Sequence, residues 1–550
     1  MAAFSYIAQE LCSFWDNYGW HCPAILLLSW TGYFLLILAY RLTFHPLAKF
    51  PGPKIAAATH AYEFWFDVVR WGRYTHEIRR MHERYGECVL VDLLYESIRM
   101  SFIAAILNSL ILFMHLDTAK LISPVILFLP SLQGVGTVDH DQHRLRRGAI
   151  NNFFSRSQIY RLESLINENA QRLCDRLLDL RDQKPIRVVD PYSCFSSDVI
   201  TEYCFGESFE YLSQPTWEPN YRTALNILFG YIHIFRHFPF LGYLIEIIPL
   251  ARSIVSRISR NAGLVMKDLK PVIVAQCVSP RQVIIPEKIR RTESISTTIN
   301  GTSQTTILSS LMASNLPPSE KTIERLSAEA NVLLIGGTQS TSVTLELATY
   351  HLLANPLIAE RLRSELSAAV PDPKRLPAWK DLEKLPYFTA VILETLRLVY
   401  GAPGRLPRIA TDQDLFYSGT WVSPRSHDKV KVSHVIPKGH AIGMSAFIIH
   451  MDETIFPNAA TFKPERWLDE MGKVNRGLER YLLSFSRGSR NCIGMQLAYC
   501  ELYVCIAALQ LRVLPKMRLY ETNDLDVQYD HDELVGKPRS DSQGVRVLIV

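Results

Sequence analysis

The most informative run of this chain is Phe485-Ser-Arg-Gly488-Ser-Arg490-Asn491-Cys492-Ile493-Gly494, with one cysteine among small and basic residues. A cysteine binds a metal only as its thiolate, and the cation of Arg490 favours that charge. Apolar residues recur at helical spacing from Met495 onward, so Cys492 should precede a helix N-terminus, whose partial positive charge also stabilises an anion. The glycines let the backbone approach a flat cofactor closely. Cys492 is therefore predicted to be the axial ligand of a cofactor metal.

This run resembles the haem-binding signature of the cytochrome P-450 family, F-x-x-G-x-R-x-C-x-G, at every fixed position. The resemblance implies haem b as the cofactor, with the Cys492 thiolate on its iron, and a mainly α fold with a small β-rich part. The signature residues that it places at the cofactor are Phe485, Gly488, Arg490 and Cys492. A buried core cysteine would not explain the surrounding pattern. A zinc site with Cys500 and Cys505 would lack a paired C-x-x-C spacing.

A second constellation is Glu394-x-x-Arg397, whose two charged residues stand three apart and so share one face of a helix. Leucines surround both, and a lone charge in apolar surroundings is costly, so each should be paired. Arg466, in Pro464-Glu465-Arg466-Trp467, is the predicted third member. The pattern resembles the family's E-x-x-R and P-E-R-W elements, in the right order before Cys492. Their implied role is structural, on the proximal side of the haem.

His143 and Arg147 lie one helical turn apart and could reach the same anion. They resemble the family's W-x-x-x-R element, with histidine in place of tryptophan. The resemblance implies that they bind a haem propionate together with Arg405 and Arg490, because a guanidinium can donate two parallel bonds to a carboxylate. For His143 alone, a place on an ordinary surface helix stays an alternative.

A long helix is predicted from about Ile323 to Ala354, between a proline-rich start and Asn355-Pro356. Its middle holds Gly336 and Gly337. Two adjacent glycines cost about 1 kcal/mol each relative to alanine, so the helix is expected to loosen there and to open a groove.

The same glycines resemble the family's [A/G]-G-x-[D/E]-T element, in which the acid and the hydroxyl guide protons to iron-bound dioxygen. Here Gln339 stands in place of the acid and Ser340 in place of the threonine, with Thr341 as a second hydroxyl. Gln339 cannot ionise but can orient water, and Ser340 can donate and accept. These two replacements are expected to affect how efficiently the protein activates dioxygen, or which type of oxygen chemistry it carries out. The predicted catalytic residues are Gly337, Gln339, Ser340 and Thr341.

An uncharged stretch, residues 23–40 (PAILLLSWTGYFLLILAY), would be about 27 Å long as a helix and just span a bilayer. The only charged residues before it are the acidic Glu10 and Asp16, whereas Arg41, Lys49 and Lys54 follow, so the positive-inside rule places the C-terminal part in the cytosol. A buried helix is the alternative.

The predicted organisation is a single-pass protein of the endoplasmic reticulum membrane. It has a lumenal N-terminus (1–22), a transmembrane anchor (23–40), a hinge (41–53) and a haem-thiolate monooxygenase domain (54–550). Closely placed prolines make the hinge stiff, and it resembles that of fungal microsomal members of the family.

One segment, residues 92–133, does not match the family, because it holds two apolar runs that are each too short to span a bilayer. We hypothesise that part of it is translated non-coding sequence, and that 419–433 is a second case. A divergent loop that dips into the membrane is the alternative. Transcript reads continuous across these stretches would refute the hypothesis.

Composition limits the function classes. The chain has 550 residues, of which 48% are hydrophobic and 11% aromatic, enough for a large core and an apolar ligand site. The net charge of +5 is not gathered into one run, so no nucleic-acid partner is predicted. Ten cysteines without regular spacing favour a reducing compartment over a disulfide framework.

The resemblance implies insertion of one oxygen atom from dioxygen into a lipophilic small molecule. Electrons would come from a separate NADPH-dependent flavoprotein reductase in the same membrane. The fungal-like hinge points to secondary metabolite biosynthesis, such as that of a terpenoid or polyketide. Two alternatives stay open: a haem-thiolate isomerase or dehydratase, because Gln339 replaces the acid, and a catalytically inactive haem protein, because of the segment 92–133.

Overall fold

The computed structural model describes residues 21–86, 136–137, 139–218, 220–238, 285, 289, 306–410, 412–422 and 429–550. The segment 92–133, hypothesised to be translated non-coding sequence, lies outside these residues. Helices dominate the described part and the strands are short. The predicted mainly α fold with a small β-rich part is confirmed.

The helices, in chain order, are α1 (His21–Thr43), α2 (Lys54–Ala58), α3 (Ala61–Phe64), α4 (Tyr74–Tyr85), α5 (His140–Asn151), α6 (Arg156–Leu178), α7 (Val189–Phe205), α8 (Tyr221–Gly230), α9 (Ile232–His237), α10 (Ile307–Ala313), α11 (Ile323–Ala354), α12 (Pro356–Ala369), α13 (Trp379–Leu382), α14 (Pro386–Val399), α15 (Ala446–His450) and α16 (Met495–Arg512).

The strands are β1 (Ile186–Arg187), β2 (Leu406–Ile409), β3 (Leu415–Val422), β4 (Lys429–Ile436), β5 (Ala441–Met444), β6 (Met517–Leu519), β7 (His531–Glu533), β8 (Val535–Lys537) and β9 (Arg546–Ile549). They form one three-stranded sheet of order β1-β9-β6 and three pairs, β2-β5, β3-β4 and β7-β8. The sheet is antiparallel, with Ile186 opposite Val547 and Met517 opposite Ile549.

The chain divides into two compact units, of which the first contains residues up to 69, 76–114 and 408–442. Its described part holds α1 to α3 and the hairpin of β3 and β4, which pair from Leu415 opposite Ile436 to Val422 opposite Lys429. The described residues of the segment 419–433 therefore form regular paired strand.

Helix α1 contains the predicted anchor and carries many exposed apolar side chains, including Leu28 and Leu36, each 72% exposed. Arg41, near its end, is instead buried and donates from its guanidinium to the Ala58 carbonyl oxygen at 3.0 Å. Among the residues that the structure describes, no helix combines the length and the apolar character that a membrane crossing requires. The transmembrane part of the prediction is thus unsupported.

The second unit contains residues 70–75, 115–407 and 443–550, and its core is built around two helix pairs. Helix α7, which is buried along nearly its whole length, packs against α11, and α16 packs against α6. A helix that is apolar on all sides is stable only inside a core, which is where the apolar residues of α16 lie. This packing places the residues before α16 next to the interior.

Candidate functional site

The loop that carries Cys492 is held by its own backbone. The amide N–H of Cys492 donates to the carbonyl oxygen of Phe485 at 2.8 Å, which closes the loop at the start of the motif. Gly488 has φ +79°, a left-handed conformation that other residues adopt at a cost. Helix α16 begins at Met495, so Cys492 precedes a helix N-terminus as predicted.

The Cys492 thiol is accessible, unlike the buried thiols of Cys500 and Cys505 nearby. The surrounding protein desolvates it, which raises its pKa above the ordinary value, while a hydrogen bond with the Gly494 backbone and the charge of Arg147 act in the opposite direction. Arg147 of α5 is thus a cation that favours the Cys492 anion and that the sequence analysis did not name for this role, while the effect of Arg490 on the thiol stays a prediction. A bound metal would shift Cys492 fully to its thiolate form, because a coordinated thiol loses its proton outright.

Arg147 and Arg490 both tie the cysteine loop to the region of α5. Arg147 donates to the Asn491 carbonyl oxygen at 2.7 Å and to the Asn491 side-chain oxygen at 2.8 Å. Arg490 donates to the carbonyl oxygen of Thr137, shortly before α5. These two predicted propionate ligands are thus brought together at the motif.

A buried ionic network that the sequence did not indicate anchors α5. Arg146 donates two bonds of 2.8 Å to Glu320, which also accepts from Arg325 at 2.8 Å. Arg325 in turn donates to Glu329 at 2.6 Å. Because the network joins α5 to the start of α11, it fixes the neighbouring residue Arg147 against the cysteine loop.

The other two predicted propionate ligands are His143 and Arg405. His143 is buried in α5, one turn before Arg147, so the surface-helix alternative for it is wrong. Arg405 stacks over the ring of Tyr74, with 4.7 Å between the guanidinium carbon and the ring centre. Their role toward a propionate stays a prediction.

Glu394, Arg397 and Arg466 form the predicted ionic cluster. Arg397 donates to both Glu394 oxygens, at 2.9 and 2.8 Å, and Arg466 donates to one at 3.1 Å. Trp467 adds an indole bond of 2.9 Å that the sequence did not predict. Glu394 and Arg397 are fully buried. Burial raises the pKa of Glu394, but the bonds from Arg397 and the charge of Arg466 outweigh it and hold that pKa below its usual value.

Helix α11 runs without interruption through Gly336 and Gly337, so the predicted loosening is wrong. The physical reason for Gly337 is packing: a Cβ there would lie 2.8 Å from a side-chain carbon of Ile200 in α7. Gly337 therefore permits a close helix contact. At Gly336 a Cβ would meet nothing within 4 Å, because this residue is exposed.

This contrast gives a matched pair of variants. We expect Gly337→Ala to lower the free energy of unfolding relative to Gly336→Ala by about 1–3 kcal/mol, the usual cost of overpacking, since both gain similar helix propensity. Urea unfolding of the two proteins measures the difference. Equal stabilities would show that Ile200 of α7 can move to make room for the added methyl group, and that close packing does not require glycine at position 337.

The predicted catalytic side chains of α11 point to different surroundings. Ser340 is exposed on the same face as Gly336 and donates to its carbonyl oxygen at 2.6 Å. Gln339 is 2% exposed, and neither polar atom of its amide has a hydrogen-bond partner among the described residues. Thr341 is buried and donates to Glu501 of α16 at 2.9 Å. Of the predicted catalytic residues that the structure describes, Ser340 is the one on an exposed face, together with the neighbouring Gly336.

Glu501 is a buried acid that the sequence analysis missed, although it is the only acidic residue of the largely apolar α16. Burial raises its pKa to about 8, against a smaller opposite effect of the Thr341 hydrogen bond. The folded protein therefore keeps this carboxyl protonated at neutral pH.

A pH dependence of stability follows. Between about pH 4.5 and 8 the folded chain holds a proton on Glu501 that the unfolded chain has lost. This group therefore lowers the free energy of unfolding as pH rises, by roughly 1.4 kcal/mol per pH unit within that window. Urea unfolding at pH 5.5 and 7.5 should show a smaller loss in Glu501→Gln than in the unaltered protein. Identical losses would contradict a protonated Glu501.

The residues present fit a thiolate-bound haem. An accessible thiol stands among groups that desolvate it, and both an N–H group and a guanidinium favour its anion. On α11, Gly336 and Ser340 are exposed among buried neighbours, which leaves open space beside the helix. The Cys492 sulfur can therefore coordinate the iron, and the open space beside α11 can accommodate a large bound molecule.

Comparison with known proteins assigns this site to a family. The family model described as Cytochrome P-450 matches residues 63–512. The chain is 40% identical over 485 residues to the cytochrome P-450 monooxygenase ppzE of Metarhizium majus, covering 85% of this chain and 95% of that protein. It is 32% identical over 531 residues to the fusicoccadiene C-8 hydroxylase of Phomopsis amygdali, covering 94% of each.

A crystal structure of a cytochrome P-450 shares the fold, with a TM-score of 0.55 and 17% sequence identity. The match covers 78% of this chain and 83% of the other. At this identity the likeness supports the architecture alone.

Proposed function

This chain belongs to the cytochrome P-450 family and is a monooxygenase of the haem-thiolate kind, and we propose that Cys492 is its iron ligand. We further propose that its substrate is a lipophilic small molecule of secondary metabolism. The observation that carries the first proposal is the accessible Cys492 thiol, with a Gly494 hydrogen bond and the Arg147 charge both favouring its anion.

Cys492 would hold haem through its thiolate, and the bound haem would supply the chemistry for cleaving the O–O bond. The chain supplies the surroundings. Arg147 and the backbone of Gly494 favour the Cys492 anion, and Arg147 also fastens the loop through Asn491. The buried Glu394 cluster contributes rigidity through its ionic bonds to Arg397 and Arg466. On α11, Ser340 offers a hydroxyl that can hold and pass a proton, whereas the buried Gln339 amide has no route to open space.

Members of this family receive electrons from a separate redox partner. For this chain we propose an NADPH-dependent flavoprotein reductase in the same membrane. The exposed apolar side chains of α1 support a membrane location, and exposed Lys49 and Lys54 follow that helix. The endoplasmic reticulum, with a cytosolic catalytic domain from about residue 54, stays part of this proposal.

The decisive test of the reaction type is isotope incorporation. Purified protein is combined with a fungal reductase, NADPH and candidate pathway intermediates under ¹⁸O₂, and the products are identified by mass spectrometry. A monooxygenase yields products that carry one ¹⁸O atom. An isomerase or dehydratase, the alternative that the Gln339 replacement favours, yields product without NADPH and without dioxygen.

Ser340 provides a sharper prediction. We expect Ser340→Ala to lower substrate turnover roughly 100-fold, as loss of a positioned proton-transfer group typically does. The hydroxyl-retaining variant Ser340→Thr is the matched control and should keep most of the turnover. Product formation and NADPH consumption are measured together. Full turnover in the alanine variant would show that another group moves the proton.

A further inference from the structure

The second unit contains a cavity of about 250 Å³ that is separate from the residues assigned to the haem. None of His143, Arg147, Arg405 and Arg490 lines it, so it is not their propionate site. Its wall includes Val343 and Leu347 of α11, the latter two helical turns beyond Ser340 and on the same face. The cavity therefore lies along the helix that carries the exposed Ser340 hydroxyl.

The lining of this cavity has two parts of different chemistry. One part is ionic, with four arginine or lysine side chains and two carboxylates. The other part is apolar, formed by residues such as Val343, Leu347 and Leu398. A cavity of this kind suits a molecule that has a charged group at one end and hydrocarbon at the other.

Two of the cations have no hydrogen bond to a carboxylate among the described residues. Arg222 of α8 is 8% exposed, its nearest ion contact is Asp190 at 3.5 Å, and its Nε has no hydrogen-bond partner among the described residues. Lys537 of β8 donates at 2.8 Å only to the neutral amide of Asn226, while its ion contact with Glu533 is 3.8 Å. Arg222 and Asn226 stand one turn apart on α8, so both cations meet at one end of the cavity.

The carboxylates near these cations form their hydrogen bonds with other groups. Asp190 accepts two bonds from Arg187, at 2.8 and 3.0 Å. Glu346 accepts from the backbone N–H of Val545 at 3.1 Å; burial raises its pKa, while the charge of Arg222 acts in the opposite direction. Asp526 accepts from Ser542 at 2.6 Å. Among the described residues, Arg222 and Lys537 therefore have carboxylates nearby but no hydrogen bond to one, which leaves their donors available to a bound anion.

We propose that this cavity binds the carboxylate of an amphipathic organic acid between Arg222 and Lys537, with the hydrocarbon part of the acid directed along α11 toward Ser340. Carboxylate oxygens would satisfy the buried Arg222 Nε and the Lys537 ammonium with charge-assisted bonds. This inference rests on the proposed function and narrows its substrate to a lipophilic acid.

Calorimetric titration of the purified haem-containing protein with octanoate, and with octan-1-ol as the neutral match, tests the proposal. We expect octanoate to bind at least about tenfold more tightly than the alcohol, and Arg222→Met and Lys537→Met each to remove about tenfold or more of that affinity. Arg539→Gln is the matched control, because Arg539 lines the same cavity but is half-exposed and paired with Asp541 at 2.9 Å. It should change the affinity less than twofold.

A pH series adds a second readout. Burial and the charge of Arg222 lower the pKa of Lys537 to about 8, so its ammonium is lost above that pH. Octanoate affinity should therefore fall between pH 7 and 9.5 in the unaltered protein but much less in Lys537→Arg. The ionisable groups that face Lys537 are Arg187, Arg222, Glu346, His531 and Glu533.

Titrations with acetate and with inorganic phosphate distinguish a site for an amphipathic acid from a site for any small anion. Binding of octanoate that exceeds that of either small ion supports a substrate acid. Phosphate or acetate binding as tightly as octanoate overturns it, as does equal binding of octanoate and octanol or unchanged affinity in both methionine variants. The reduced, carbon-monoxide-bound spectrum of the same samples reports on the proposed function separately, so either proposal can fail alone.

Discussion

Replacing Cys492 with serine is expected to abolish substrate oxidation and to remove the thiolate-haem absorption. A serine hydroxyl stays neutral at pH 7 and cannot supply the anionic sulfur that pushes electron density onto iron. The loss should exceed the roughly 10- to 100-fold that removal of an outer partner of a metal site costs. Turnover with a supplied reductase and the haem content per protein measure both parts of the expectation.

Cys500→Ala is the matched control for this variant. Cys500 lies eight residues later, is fully buried in α16 and has no assigned role beyond packing. Its loss should leave haem content and turnover nearly unchanged, while circular dichroism confirms that both variants are folded. A Cys492→Ser protein that kept its pigment and its turnover would refute the assignment of the ligand.

Arg397→Ala should have the largest effect on stability. Removing this guanidinium leaves the carboxylate of Glu394 fully buried, with Arg466 as its one remaining cation. Breaking a buried ion pair from one side typically costs about 3–5 kcal/mol, which is a large share of the stability of an ordinary domain. Urea unfolding followed by circular dichroism measures the loss. If the alanine variant does not accumulate, Arg397→Lys, which keeps the charge but not the fork, should show a smaller loss.

The chain contains a matched surface pair for comparison. Glu360 and Arg363 have the same three-residue spacing on α12 and a contact of 2.8 Å, but both side chains are about half exposed. Such a pair contributes at most about 0.5 kcal/mol, so Arg363→Ala should unfold almost like the unaltered protein. Similar losses in the two alanine variants would show that burial does not govern the Glu394 cluster.

The parts that sequence reasoning predicted well are those that local pattern determines. Helix α11 begins at Ile323 and ends at Ala354, as its flanking signals indicated, because Thr322 caps it and Pro356 cannot continue it. The Glu394, Arg397 and Arg466 cluster was predictable because charged residues in an apolar run require partners, and Arg466 stands in a Pro-Glu-Arg-Trp element that resembles the family's. Cys492 before a helix followed from the same kind of local reasoning.

The parts that were missed depend on which helices meet. The hydrogen bond between Thr341 and Glu501 joins residues 160 positions apart, and no local sequence pattern predicts it. The two glycines of α11 were interpreted as a weak point of the helix, whereas Gly337 admits Ile200 of α7. The exposed face of α11 at Ser340, with Gln339 turned into the interior, likewise follows from packing against neighbouring helices.

The central claim is that the Cys492 thiolate binds haem iron, and the absorption spectrum of the purified protein, reduced and saturated with carbon monoxide, tests it most directly. The account predicts the red-shifted band of thiolate-bound haem in the unaltered protein and its absence in Cys492→Ser. A protein without bound haem, or with the same band in both proteins, would contradict it.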